Sequence, residues 1–312
     1  MIKERGCAMR VKIVGIFLLS VFVFGVIGLR AQDVPAQEEW NPVTAGPITA
    51  WIAPLCGKSK LVVQPFFFYT HTRGAFDSEG DYHALDKGDK KSQYQQMLFA
   101  QYGITDKLEI DAQTSYLENH VKKDAERAHS EGFGDSWLFG RYCLVEEKDW
   151  MPHIAVLFQL KIPTGKYQHS EEARLDTDLM GNGSWDEGLG VILTKKLKPF
   201  ILHADCIYTI PQRVKVDDTT TTYAPYLNYD FAVEYVLLKG FNLMVEINGV
   251  CQGDKREFGK TVPASDSNSL VFAPGIGWSN DKIQTLLAYQ RTVCGANADA
   301  NDSVVLTCVF TF

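Results

Sequence analysis

The residues with the greatest capacity for acid–base chemistry are seven histidines: His71, His83, His120, His129, His153, His169 and His203. Serine hydrolysis needs a histidine within hydrogen-bonding reach of the serine and a third group that orients the histidine. The pairs His129-Ser130 and His169-Ser170 do not provide this, because adjacent side chains in extended chain point to opposite sides. The chain also has no Gly-x-Ser-x-Gly elbow, P-loop or dinucleotide fingerprint. We therefore expect neither an enzyme nor a cofactor.

The cysteines are the next candidates for reactive or metal-binding residues. Cys7 lies in the N-terminal leader, and the others are Cys56, Cys143, Cys206, Cys251, Cys294 and Cys308. Neither the cysteines nor the histidines have the spacing of a metal site. The last five cysteines lie in or beside separate β-like segments. This favours small apolar residues in strands over a disulfide framework, and we expect no metal site.

Charged side chains at alternate positions form the remaining group. If every second residue of a strand faces the inside of a barrel, the inward residues are eight carboxylates, two cations and a histidine. They are Glu109, Asp111, Asp135, Asp186, Asp205, Asp230, Glu234 and Glu246, with Arg141, Lys161 and His203. This excess of carboxylates would favour cations or neutral solutes over anions. The alternative is a set of solvated wall charges, and for Asp135 and Arg141 bracing of the wall is favoured.

The elements that must position these charges are β-strands. A hydrophobic content of 46% excludes a disordered chain. A mean hydropathy of -0.12 excludes a polytopic helical membrane protein, because each span needs about 20 apolar residues. From Lys60 onward, twelve segments are rich in Val, Ile, Phe, Tyr and Thr. They cover approximately residues 60–72, 93–104, 107–119, 133–145, 152–163, 184–195, 199–211, 226–238, 241–253, 269–279, 282–293 and 301–312.

The connections between these segments alternate in length. Tight turns follow the even-numbered segments, whereas polar loops follow the odd-numbered ones, at 73–92, 120–132, 164–183, 212–225, 254–268 and 294–300. Side chains alternate as well: in the ninth segment Leu243 and Val245 share one face, and Asn242 and Glu246 share the other. Sorted loops with apolar and polar faces predict an all-β fold, an up-and-down antiparallel transmembrane β-barrel of about 12 strands.

The last segment ends the chain on an aromatic residue. Phe310 and Phe312 fall on one face, with Thr311 between them. A terminal Phe on an amphipathic strand resembles the signal by which bacterial barrels are recognised for outer-membrane insertion. We therefore expect Phe310 and Phe312 to form an assembly signal, with the barrel assembly machinery and outer-membrane lipids as partners.

The N-terminal residues predict export. Lys3, Arg5, Arg10 and Lys12 precede an uncharged run over 13–29, which is typical of a signal peptide, here residues 1–31. Cleavage after Ala31 or Ala36 is possible, and an uncleaved anchor is the less favoured alternative because the run is short for a span. Loss of residues 1–31 removes five basic and one acidic residue from totals of 31 and 38, leaving a net charge of -11. This acidic balance argues against nucleic acid as a partner.

Residues 32–59 separate the leader from the barrel, which is predicted over 60–312. They contain Pro35, Pro42, Pro47 and Pro54 and show no charge alternation. The segment is either a loose periplasmic tail or a constriction inside the lumen. The low apolar content favours the tail, because a packed plug needs more apolar side chains.

Several motifs at strand ends occur in an ordered series. They are Gly132-Phe133-Gly134-Asp135 leading to Arg141-Tyr142, Ile162-Pro163-Thr164-Gly165, Gly181-Asn182-Gly183-Ser184-Trp185, and Pro274-Gly275-Ile276-Gly277. Over about residues 60–312, the chain resembles the transporter-like outer-membrane family named for the MetA pathway of phenol degradation. The resemblance implies a bacterial outer-membrane barrel that passes small, often aromatic, compounds. It assigns no functional residue.

These observations predict a channel for small solutes. Twelve strands spaced about 4.8 Å apart and tilted about 40° give a backbone radius of roughly 12 Å, narrower than that of sixteen-stranded porins. We expect passive diffusion of aromatic, neutral or cationic compounds through a narrow acidic lumen. The first alternative is a structural or adhesive surface barrel, and the second is an outer-membrane lipid hydrolase.

Overall fold

The computed structural model describes residues 40–44, 46–237, 240–280 and 282–312. The predicted signal peptide, residues 1–31, and the beginning of the 32–59 segment lie outside the described residues. Within the described residues, no helix is both long and apolar enough to span a membrane.

Twelve long antiparallel strands form the wall. They are β1 Leu61–Phe76, β2 Lys90–Thr105, β3 Leu108–Lys123, β4 Ser136–Val145, β5 His153–Ile162, β6 Asp186–Leu197, β7 Phe200–Pro211, β8 Tyr226–Val236, β9 Phe241–Gln252, β10 Ser267–Ser279, β11 Ile283–Ala296 and β12 Ala298–Thr311. Each strand pairs with its neighbours in the chain, and β12 pairs with β1. Leu61 and Phe312 exchange both main-chain hydrogen bonds, at 3.2 and 2.8 Å, at the seam. The predicted up-and-down barrel is therefore confirmed.

The two faces of the wall differ as the alternation predicts. In β9, Leu243 and Val245 are 45% and 42% exposed, whereas Asn242 and Glu246 are 1% and 0% exposed. Apolar side chains cover the outside of the other strands in the same way, for example Leu98, Ile110, Phe158, Leu189, Ile276 and Leu306. A closed barrel satisfies all its main-chain groups internally, which an apolar outer face in lipid requires.

The loops are sorted between the two ends. The short connections that follow β2, β4, β6, β8 and β10 lie at the end that is periplasmic in barrels of this kind. Longer loops lie at the opposite, outer end. They contain the short strands Tyr82–Ala84, Glu126–Phe133, Val214–Val216, Thr219–Thr222, Arg256–Glu257 and Lys260–Thr261, and one 3-10 turn, Glu172–Arg174.

Two predicted loops are largely strand. Residues 120–132 form a hairpin in which β3 runs to Lys123 and pairs with Glu126–Phe133. Residues 294–300 were expected to form a polar loop, but β11 continues to Ala296 and β12 begins at Ala298. The reversal takes place at Asn297, which has a left-handed φ of 47°. Asparagine tolerates this conformation, and its side chain donates to the carbonyl oxygens of Ala264 and Asp266 at 3.0 and 2.7 Å.

Candidate functional site

The interior of the barrel holds a stretch of chain that precedes β1. We call residues 46–56 the lumen segment. Ile48, Ala53 and the neighbouring main chain are buried against inward-facing side chains of β3, β6, β7 and β9. The sequence argument favoured a loose tail for this region, and the structure differs over its described part. Two features account for the difference: the wall supplies acceptors for the main-chain N–H groups of the segment, and Ile48 and Ala53 pack in apolar clusters with inward-facing side chains.

Glu246 of β9 provides most of these acceptors. Its carboxylate accepts the N–H groups of Ile48, Thr49 and Ala50 at 2.7, 3.0 and 3.0 Å, and the Thr49 hydroxyl at 2.6 Å. Asn248 Nδ2 donates to the same carboxylate at 2.6 Å. Hydrogen bonds to a carboxylate are about twice as strong as those between neutral groups. Glu246 therefore holds the segment mainly by its backbone, with the Thr49 hydroxyl as one side-chain donor.

Three further wall residues continue this pattern. Asp205 Oδ2 accepts the Trp51 N–H at 2.9 Å, Thr194 Oγ1 accepts the Ala53 N–H at 2.9 Å, and Glu109 Oε2 accepts the Cys56 N–H at 2.6 Å. Burial, and then the Glu109 carboxylate, raise the pKa of the Cys56 thiol to about 12. The thiol therefore stays protonated at neutral pH and is a poor nucleophile.

Arg141 of β4 joins two of the predicted carboxylates to the segment. Its Nε donates to Asp111 Oδ2 at 2.8 Å, its Nη2 donates to Glu109, and its Nη1 donates to the Ile52 carbonyl at 2.8 Å. The guanidinium carbon lies 5.2 Å from the centre of the Trp51 ring. Arg141 is 1% exposed. One guanidinium therefore satisfies two wall carboxylates and one segment carbonyl.

His203 belongs to a second buried group near the periplasmic end. Its Nε2 lies 2.8 Å from Glu234 Oε1, and its Nδ1 lies 3.0 Å from Thr194 Oγ1. Asn242 Nδ2 donates to the other Glu234 oxygen at 2.6 Å. Because Thr194 also receives the Ala53 N–H, this group is continuous with the contacts of the lumen segment.

The remaining predicted charges lie toward the outer end. Lys161 Nζ lies 2.7 Å from Asp186 and 3.8 Å from Asp135. Asp135 also accepts the N–H groups of Gly165 and Asn182, at 3.1 and 3.4 Å, which belong to the loop 163–185. These contacts hold that loop against the inside of the wall.

Asp178, in the same loop, is itself held by hydrogen bonds. Burial alone would raise its pKa, but hydrogen bonds from the Lys166 ammonium, the Glu171 N–H and the Ser170 hydroxyl lower the pKa below its ordinary value. The carboxylate is therefore ionised at neutral pH, which favours its pairing with Lys166.

Above the lumen segment lies a cavity of about 440 Å³. Seven aromatic side chains line it: Trp51, Phe66, Phe68, Phe99, Trp137, Phe139 and Tyr226. Five amides also line it: Gln64, Gln101, Gln113, Gln159 and Asn228. The Trp51 ring packs edge-on against Phe139 and Phe99, with centroids 4.9 and 5.6 Å apart. Such a surface can stack against a ring of a bound small molecule and form a few amide hydrogen bonds with it.

The predicted charged residues thus fall into distinct groups rather than one acidic surface. Arg141 gathers Glu109 and Asp111, Lys161 gathers Asp135 and Asp186, and His203 adjoins Glu234. Asp205 and Asp230 face each other across β7 and β8, and Asp230 lines the cavity. Most of the carboxylates therefore have a cation or N–H donors as partners.

The sequence reasoning missed the aromatic lining. Phe66 and Phe68 of β1 fall at alternate positions, as inward residues should, and their rings stack at 5.8 Å. Their alternation with outward residues indicates an inward position, but the inward set inferred from the sequence contained only charged residues and His203. Trp51 had no such signal, because it lies outside any strand.

Comparison with known proteins bears on the fold and the family. The family model described as "Putative MetA-pathway of phenol degradation" matches residues 67–298. An outer membrane channel from Pseudomonas putida F1 is similar, with a TM-score of 0.68 at 16% identity over 83% of this chain and 98% of that chain. The NanC porin has a TM-score of 0.50 at 9% identity over 80% of this chain and 98% of that chain. No curated protein sequence matches this chain.

At these identities the structural likeness shows the fold alone, which is that of an outer-membrane barrel. The physical properties of the wall agree with it. The strands are closed without an edge, and their outward side chains are apolar. Closed barrels with this exterior are proteins of the bacterial outer membrane.

Proposed function

Because the chain belongs to the family described as the putative MetA-pathway of phenol degradation, we propose that it is a channel for small solutes. The solutes are neutral or weakly cationic, with aromatic compounds foremost, and they cross the outer membrane by passive diffusion. The observation that carries this proposal is the aromatic cavity in the lumen. Its volume of about 440 Å³ falls within the usual range of small-molecule sites, about 300–1,000 Å³.

The arrangement of charge supports the choice of solute. Wall carboxylates pair with Arg141 and Lys161, so the channel presents no unpaired inward cation at these two residues to attract an anion. A cavity wall without an unpaired cation among these residues favours cations and neutral solutes over anions.

We propose further that the lumen segment is the constriction of the channel. It crosses the periplasmic half of the lumen, where it contacts strands on opposite sides of the wall, from Glu109 on β3 to Glu246 on β9. A solute that leaves the cavity toward the periplasm must pass this segment. The segment would therefore set the upper limit on solute size.

We expect the cavity to bind phenol more tightly than cyclohexanol, which has similar size but no aromatic ring. Phe139→Ala should weaken phenol binding roughly two- to tenfold, because an aromatic contact contributes about 0.5–1.5 kcal/mol beyond its buried area. Isothermal titration of the purified barrel in detergent measures both affinities.

Phe272→Ala is the matched control for this titration, since Phe272 lies on the outer face and is 41% exposed. It should bind phenol as the unaltered protein does. Equal affinities for phenol and cyclohexanol, or equal losses in the two variants, would count against an aromatic-selective cavity.

We also propose that Phe310 and Phe312 form the assembly signal read by the barrel assembly machinery. The Phe312 side chain is 73% exposed, so removing it costs little packing within the barrel. Phe312→Ala should therefore lower the amount of assembled barrel in the outer membrane several-fold, while the purified variant still folds in detergent. Heat-modifiable migration of membrane fractions on gels measures the assembled fraction.

Val304→Ala provides the control for assembly, because Val304 lies on the outer face of the same strand and is 44% exposed. Its assembled fraction should equal that of the unaltered protein. If Phe312→Ala assembles equally well, the terminal aromatic residue is not a signal in this chain.

A further inference from the structure

A group of potential metal ligands lies outside the lumen, on the outward face of β3 near its outer end. Glu118 and His120 are two residues apart on β3, and His129 belongs to the short strand Glu126–Phe133 that pairs with this part of β3. His120 and His129 stand directly opposite each other in the pairing. The hairpin register therefore brings together three residues that the sequence separates.

The distances are those of a compact cluster. Glu118 Oε1 lies 2.8 Å from His120 Nε2 and 3.5 Å from His129 Nε2. The two imidazole rings stack with their centroids 4.7 Å apart. One ligand atom from each residue lies within 4.8 Å of the others.

The cluster is open to the outside medium. The side chains of Glu118, His120 and His129 are 39%, 38% and 53% exposed. They lie beyond Tyr116 on the same face of β3, and Tyr116 packs edge-on against Phe133. Aromatic side chains of this kind mark the membrane–water boundary of outer-membrane barrels. An ion in the external medium can therefore reach the cluster without crossing lipid.

We propose that Glu118, His120 and His129 bind one divalent transition-metal cation, of which Zn²⁺ is the best match. Two imidazole nitrogens and one carboxylate oxygen suit zinc, whereas calcium and magnesium prefer oxygen ligands only. Metal–ligand bonds of about 2.0–2.1 Å in a tetrahedron put neighbouring ligand atoms about 3.3 Å apart. The distances of 2.8 and 3.5 Å from Glu118 fall on either side of that value. A fourth position remains for water or an external ligand.

The bound cation would join β3 to the strand Glu126–Phe133. That strand leads through Gly134 to Asp135, which holds the loop 163–185 inside the barrel. Zinc would therefore stabilise the outer rim against local opening. This inference is independent of the solute that the channel carries.

Isothermal titration of full-length, untagged protein in detergent tests the proposal, after treatment with a chelator and its removal. We expect one Zn²⁺ per chain, with a dissociation constant in the micromolar range or below, and no comparable heat from Ca²⁺. His129→Gln should weaken zinc binding by roughly tenfold or more, because it removes one of three ligands.

His83→Gln is the matched control. His83 Nε2 lies 2.8 Å from Asp77 Oδ2 in another exposed loop, so it repeats one histidine–carboxylate contact of the cluster without its third ligand. This variant should bind zinc as the unaltered protein does. Thermal unfolding adds a second readout: zinc should raise the midpoint of the unaltered protein and of His83→Gln, but not that of His129→Gln. Absence of one-to-one binding, or equal affinity of His129→Gln and the unaltered protein, would overturn the proposal.

Discussion

Deletion of residues 46–56 should raise the single-channel conductance of the barrel several-fold. The segment crosses the lumen between β3 and β9, and its removal leaves only the twelve-stranded wall to limit ion flow. The wall should remain intact, because the carboxylates that lose their N–H partners then face water rather than a buried interior. Recording in planar bilayers measures the conductance directly.

Replacing the same residues with a glycine–serine stretch of equal length distinguishes two causes of a higher conductance. One is the loss of the main chain of the segment, and the other is the loss of its side chains. The replacement keeps the length of the chain but loses the Trp51 and Ile48 side chains. Its conductance should lie between those of the deletion and of the unaltered protein. If the deletion conducts no better than the unaltered protein, the segment is not the constriction.

Arg141→Met should lower the free energy of unfolding by about 3–5 kcal/mol, the usual cost of breaking a buried ion pair from one side. Glu109 and Asp111 are 0% and 1% exposed, and both lose the guanidinium that neutralises them. The Ile52 carbonyl loses its donor as well. Urea titration of the barrel in detergent micelles measures the change.

Two further variants separate loss of charge balance from loss of packing. Adding Glu109→Gln and Asp111→Asn to Arg141→Met removes the uncompensated charges, and the triple variant should recover most of the lost stability. Arg141→Lys should recover only part, because a single ammonium cannot reach three acceptors as the guanidinium does. If the free energy of unfolding of Arg141→Met lies within about 1 kcal/mol of that of the unaltered protein, the ion pairs of Arg141 do not stabilise the barrel as we describe.

Most of the fold could be predicted from the sequence because the side chains of a barrel strand alternate between the lipid and the lumen. In β9, Leu243 and Val245 against Asn242 and Glu246 were sufficient to predict a wall with a lipid face and an inner face. The family resemblance found in the strand-end motifs is also confirmed. Asn297 shows the limit of this reasoning: a polar stretch looks like a loop even when it belongs to a tight hairpin.

Much less could be predicted of the candidate site, because alternation indicates which way a side chain points but not what it meets. Glu246 bonds to main-chain N–H groups 196–198 residues earlier in the chain, and a backbone partner leaves no mark in the sequence. Alternation likewise did not predict that His120 and His129 lie side by side. Their spacing of nine residues resembles no metal motif, and only the register of a loop hairpin brings them together.

Solutes should pass through the lumen of this barrel. Single-channel recording of the intact protein across a salt gradient can show this passage. We expect small, discrete openings, a reversal potential that indicates a preference for cations, and a reversible reduction of the current by phenol. Absence of conductance, or a preference for anions that persists at low salt, would contradict the claim.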